Sequence, residues 1–102
     1  MALNRPDPGV VANNISTSQF TATATAAAIA SSRDLRMRLF FKNTHASLPV
    51  YIGGDNTVSA STGFSIAAGV VQEVRTTASV FIVTGGGSIT VEVFEEFVTT
   101  DS

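Results

Sequence analysis

Few residues of this chain have the types that chemistry needs. The sequence holds one histidine, His45, in the stretch KNTHASLP, and no cysteine. A zinc-type site takes three or four ligands, and no second His or Cys exists to join His45. A hydrolytic triad needs a serine presented beside an imidazole. Serines are plentiful, so their presence carries no information, and no G-x-S-x-G elbow occurs. His45 is read as an exposed loop residue. Gly53-Gly54 follows the strand-like triplet VYI and invites comparison with a phosphate loop. Such a loop ends in Lys-Ser/Thr and opens a helix whose N-terminus holds the anion. Here GGDN runs into more turn residues, so the pair is read as a turn needing positive φ. Gly85-Gly86-Gly87 is read likewise, as a hairpin turn. Glu92, Glu95, Glu96 and Asp101 bunch near the C-terminus. A carboxylate pair does acid–base work when burial raises one pKa. Alternation instead puts Glu92 and Glu96 on a solvated face with Thr90, and Glu95 at the strand's end, in reach of water. No catalytic residue, metal or cofactor is expected, and the chain is read as a non-enzyme.

Any site must be positioned by short strands. LRMRLFFKN is the clearest: Leu35, Met37, Leu39 and Phe41 fall on one face, Arg36, Arg38, Phe40 and Lys42 on the other. One-sided burial of this kind belongs to an antiparallel sheet with one wet face. SITVEVFEEF repeats the pattern, with Ile89, Val91 and Val93 opposite Thr90, Glu92 and Phe94. Between them, Val50–Ile52, Val70–Thr76 and Val80–Thr84 read as further strands and Phe64 and Ile66 as a short apolar pair, separated by Gly and Asn turns. Ser18–Ser32 is ambiguous, because Ala favours helix. Thr21, Thr23 and Thr25 alternate with Ala22, Ala24 and Ala26, which tips the segment to a strand. Six or seven strands at spacings near ten residues predict an all-β domain, a small antiparallel β-sandwich or jelly-roll-like barrel. The first and last strands are expected to pair. Arg36 or Arg38 is expected to meet Glu92 or Glu96 across the wet face.

The totals fit one such domain. A chain of 102 residues has room for a single modest core. Residues 1–17 read as an extended N-terminal arm, 18–97 as the sandwich and 98–102 as a short tail. Pro6 and Pro8 around Asp7 forbid a helix in the arm. It is either a frayed terminus or a segment that orders on a neighbouring subunit. Net charge is −2 with no basic stripe, so no nucleic-acid partner is expected. No signal core or membrane-length run is present, which reads as a soluble protein made in the cytosol without a membrane partner. Only 14% of residues are charged, where about 25% is usual, so a partner surface is expected to cover part of the apolar exterior.

Phe40 and Phe94 stand out because each sits on an outer face among charges. Either they are scattered surface aromatics, which are normal, or that face docks on a neighbour. Aromatics with arginine are the composition of an interface hot spot. The expected interface set is Phe40, Phe94, Arg36 and Arg38, with Pro6 and Pro8 from the arm. A carbohydrate- or cell-surface-binding module is the alternative, resting on Tyr51 beside Asp55 and Asn56. Tyr51 is read as half-core and not as a platform.

The order of motifs from Leu35 to Phe97 resembles a group of small tailed-bacteriophage virion proteins. The shared features are an apolar strand ending in NT (Leu39–Thr44), VYIGG (Val50–Gly54), GF (Gly63–Phe64), AAG (Ala67–Gly69) and a last strand V-x-V-x-E-E (Val91–Glu96). The resemblance implies a β-sandwich subunit on a phage particle, produced in the host bacterial cytoplasm. A capsid cement or decoration protein is the first expectation, and a neck, head-fibre or tail component the next. Its partners would be the major capsid protein or other virion subunits, and copies of itself, with a trimer favoured.

Overall fold

The computed structural model describes residues 12–99. They form eight strands: β1 (Asn14–Ala22), β2 (Ala27–Ala30), β3 (Arg36–Asn43), β4 (Val50–Gly53), β5 (Phe64–Ile66), β6 (Val71–Val74), β7 (Val80–Thr84) and β8 (Ile89–Phe97). These make two antiparallel four-stranded sheets, ordered β1-β8-β3-β6 and β2-β7-β4-β5. Successive strands mostly alternate between the sheets, so the chain winds around a common core. Eight strands in this order are a jelly roll. The all-β sandwich expected from alternation is therefore present, and its first and last strands pair over nine positions, from Asn14 opposite Phe97 to Ala22 opposite Ile89.

The core lies between the sheets. Leu39 and Phe41 of β3 and Ile89, Val91 and Val93 of β8 face Val50, Ile52, Ile66, Val80 and Ile82 of the second sheet. Each large side chain fully buried there contributes roughly 1.5–3 kcal/mol, which is why period-two alternation was readable on β3 and β8.

Several elements differ from expectation. The ambiguous segment is two strands, not one. β1 ends at Ala22, the chain bends at Ala24-Thr25, and β2 resumes in the opposite sheet. Thr23 fixes the bend: its hydroxyl accepts from the Thr25 N–H at 3.2 Å and its carbonyl accepts from the Thr84 N–H at 2.9 Å. β1 also begins at Asn14, inside the segment read as an arm. Backbone pairing with β8 carries it, although Ser16 and Ser18 occupy core-facing positions. Pro6 and Pro8 lie outside the described residues, and so does Asp101.

The glycines are joints of different kinds. Gly53 does not have positive φ; among the described residues only Gly69, Gly86 and Gly87 do. A Cβ at Gly53 would stand 2.7 Å from Val58 Cγ2, and one at Gly63 would stand 2.8 Å from both Val58 Cγ2 and Tyr51 Cβ. The two glycines let Val58, itself buried, fold the β4–β5 loop down onto the sheet. Gly87, at φ 74°, does turn the chain. Yet the turn is not a hairpin, because β7 and β8 belong to different sheets. The Thr84 hydroxyl donates to the Gly87 carbonyl at 2.8 Å and closes this arch.

Candidate functional site: the outer face of the β1-β8-β3-β6 sheet

The outer face of the first sheet is set by register. Arg38 lies opposite Glu96, Phe40 opposite Phe94, and Lys42 opposite Glu92. β1 extends these rows with Ile15, Thr17 and Gln19, and β6 adds Glu73 beside Phe40 and Val71 beside Lys42. The phenylalanines sit at the centre of the face. Their rings meet edge to face, with centroids 5.8 Å apart and planes at 68°. They are half-buried by each other and by the sheet, and they floor an open groove walled by Thr17, Gln19, Lys42, Glu92 and Val71. Arg38 Nε lies 3.2 Å from Glu96 Oε1, one of the cross-strand pairs that alternation anticipated. Val71 and Ile15 stay 54% and 63% exposed at the flanks, so this face carries uncovered apolar surface beside ordered charge.

Arg36 is not on this face. β3 carries a bulge between Arg36 and Arg38, where two steps along β3 match one step along β8. An extra residue reverses the alternation, so Arg36 turns inward and its side chain is 1% exposed. Its Nε donates to Glu95 Oε2 at 2.6 Å, and its other nitrogens donate to the carbonyls of Thr76 (3.0 Å), Ala78 (2.9 Å) and Ser31. Glu95, expected to reach water, is buried beneath it. Arg33 Nε adds a second donor to the same oxygen at 3.0 Å, and its guanidinium carbon stands 3.8 Å above the Phe97 ring. Arg36 thus ties β8, the end of β2 and the β6–β7 loop together. With every polar contact directed within the chain, its place is in the scaffold.

No protein-family model matches the chain, and none of the curated proteins does. Two solved structures are similar in shape. A structure of the stem and receptor-binding domain of spike protein P1 from bacteriophage PM2 superposes with a TM-score of 0.63 at 17% identity, over 80% of this chain. This chain spans 33% of that one's length. A subunit of the disulfide-linked pili that form Bacillus endospore appendages superposes at 0.53 and 18% identity, over 97% of this chain and 100% of the other. The likeness is one of fold. This sequence has no cysteine with which to make the pilus linkage.

The remaining candidates fall apart in space or become structural. Tyr51 lines a small cleft with Leu48, Pro49, Gly85, Gly86 and Ile89, which neither Asp55 nor Asn56 enters. Asp55 is engaged locally: its Oδ1 accepts from the Thr57 hydroxyl at 2.5 Å and the Thr57 N–H at 2.9 Å. Those bonds, the hydroxyl's above all, hold its carboxyl below the ordinary value. His45 Nδ1 accepts from the N–H groups of Ser47 and Leu48, at 3.0 and 2.9 Å, and shapes its own loop. Among the described residues no three His, Cys, Asp or Glu side chains gather as metal ligands.

Sequence reasoning missed one organising residue. Asn43 is fully buried. Its Nδ2 donates to the carbonyls of Leu48 (2.8 Å) and Ile66 (3.0 Å), and its Oδ1 accepts from the His45 N–H at 2.9 Å. The available signal was its position: a polar residue in phase with Leu39 and Phe41, ending a strand.

Proposed function

We propose that this chain is a non-enzymatic structural subunit of a bacteriophage particle, a capsid cement or decoration protein that docks on protein through the outer face of its first sheet. The observation that carries this is the Phe40–Phe94 pair, held at the floor of an open groove and framed by the Arg38–Glu96 ion pair and by Lys42 opposite Glu92. Apolar centres with a charged rim are the composition of protein-docking surfaces. The order of motifs and the jelly-roll fold support a virion setting, and many copies on a particle would multiply a modest affinity. Copies of itself and other virion subunits, the major capsid protein among them, are the proposed partners.

The test is occupancy on purified virions. An antibody against the chain should label particle heads, and the double variant Phe40→Ser/Phe94→Ser, folded by circular dichroism, should be lost from them. Particles without label would overturn the virion assignment. A Phe variant at full occupancy would overturn the docking role of this face. A receptor-facing module is the second assignment, favoured by the shape likeness to part of a structure that comprises a stem and a receptor-binding domain. A glycan array should then show binding that depends on Tyr51, and an empty array retires its carbohydrate form.

A further inference from the structure

We propose that the occupant of this face is the same face of a second copy, related by a two-fold axis running parallel to the strands between β3 and β8. The inference rests on the reading of this face as a docking surface and names its partner.

Register supplies the argument. Along β3 stand Arg38, Phe40 and Lys42; opposite them along β8 stand Glu96, Phe94 and Glu92. One column is cationic at both ends and the other anionic at both ends, with a phenylalanine at each centre. Two in-plane axes can lay such a face on a copy of itself with the strands aligned. An axis across the strands exchanges the ends of each column. It sets Arg38 over the second copy's Lys42 and Glu92 over its Glu96, so like charges meet. An axis along the strands exchanges the columns instead. It sets Arg38 over the second copy's Glu96, Lys42 over its Glu92 and Phe40 over its Phe94. Opposite charges meet, and each contact occurs twice, as an isologous interface requires. The same operation lays Gln19 over the second copy's exposed Val71.

Sheets related this way keep their strands aligned, the usual arrangement of stacked sheets. Strands of nine, nine, eight and four residues, about 4.8 Å apart and rising about 3.4 Å per residue, cover roughly 500 Å² per copy. Two copies would then bury about 1,000 Å², the size of a weak, transient interface. That size fits a reversible pair.

Sedimentation velocity on the whole chain over a concentration series tests the pairing. The wild type should pass from one to two copies as concentration rises. Lys42→Glu sets four carboxylates together across the interface, and Glu92→Lys sets four amines; each alone should stay monomeric where the wild type pairs. An equimolar mixture of the two variants should pair, because each then faces its opposite. The exchange variant Lys42→Glu/Glu92→Lys should recover self-pairing to within about tenfold, one factor of ten being 1.4 kcal/mol. A wild type that stays monomeric, a three-copy mass, a Lys42→Glu chain that pairs as well as wild type, or a mixture that does not pair would each overturn the two-fold. If the wild type is monomeric while Phe40→Ser/Phe94→Ser is lost from particles, the face serves another virion protein, and only the two-fold fails. If that variant also stays on particles, the docking reading fails with it.

Discussion

Arg36 offers the sharpest test of how this jelly roll is held together. Consider Arg36→Met, which keeps the volume and removes the charge. The wild-type side chain is 1% exposed, and it serves Glu95 and the three carbonyls of Thr76, Ala78 and Ser31. Removing one partner of a buried ion pair leaves the other charge uncompensated, at a cost of about 3–5 kcal/mol. Arg33 still contacts Glu95, but its side chain is 44% exposed and its pull is weakened by solvent. The expected loss is therefore about 3–4 kcal/mol, inside the range for an unpaired buried charge. At a urea dependence of about 1.5 kcal/mol per molar, the unfolding midpoint falls by about 2–3 M. The comparison that isolates burial is Arg38→Met. Arg38 also contacts a carboxylate, at 3.2 Å, yet its side chain is 45% exposed. Its loss should cost about 0–1 kcal/mol and shift the midpoint by well under 1 M. Adding Glu95→Met to Arg36→Met removes the stranded charge and should recover part of the deficit, the carbonyls of Thr76, Ala78 and Ser31 staying unserved. Equal midpoints for Arg36→Met and Arg38→Met, or a double variant no more stable than Arg36→Met, would refute the reasoning.

Three further outcomes are expected. Asn43→Ala removes a buried amide that serves Leu48, Ile66 and His45, and should cost about 2–4 kcal/mol in urea unfolding. Gly53→Ala puts a methyl 2.7 Å from Val58 Cγ2 and should cost about 1–3 kcal/mol, while Gly54→Ala, with nothing within 4 Å, should stay within about 0.5 kcal/mol of wild type. Val58→Ala beside Gly53→Ala should make the pair less costly than the two single losses added. The Asp55 carboxyl should titrate below its ordinary 3.8 by NMR, and Thr57→Val should return it toward that value. A lowered folded pKa gives stability that is fully present above 3.8 and lost only as pH falls through the lowered midpoint.

The strands with strong apolar contrast were legible, and the departures have local causes. On β3 and β8 the alternation of large apolar and charged residues fixes both the face and the partner register. It fails at Arg36 because the bulge adds one residue, and no local signal in RDLRMRL marks where it falls. The start of β1 was hidden for the opposite reason: Asn14 and Ser16 occupy inward positions but give no apolar rhythm, and pairing to β8 overrides their turn character. Gly53-Gly54 and Gly85–Gly87 look alike in sequence. Their difference, a loop folded onto Gly53 and an arch between sheets at Gly87, depends on contacts distant along the chain. The motifs that carry the phage resemblance sit largely on such joints: Asn43 in NT, Gly53 in VYIGG, Gly63 in GF and Gly69 in AAG. They specify a way of folding and leave the outer face undetermined.

That outer face is where a partner's requirements can be separated from those of folding. Cross-strand pairing within one chain asks only that each row hold opposite charges. Exchanging Lys42 with Glu92 would keep that pair, because the two residues face each other. Glu73 on β6, diagonal to both Arg38 and Lys42, gives the chain one reason for cations on β3. Stacking gives a second, which also sets both anions on β8. With mixed columns, the axis along the strands and the axis across them would both bring opposite charges together, and the face could pair in two orientations. With segregated columns the crossed arrangement sets like charges in contact and is rejected, the repulsive half of specificity. The exchange variant separates the two: its fold and its pairing persist, while a second, crossed orientation opens to it. Disulfide trapping reads this directly. A cysteine at Thr17 should link across the wild-type interface only to one near Glu73, whereas in the exchange variant it should also capture its own counterpart.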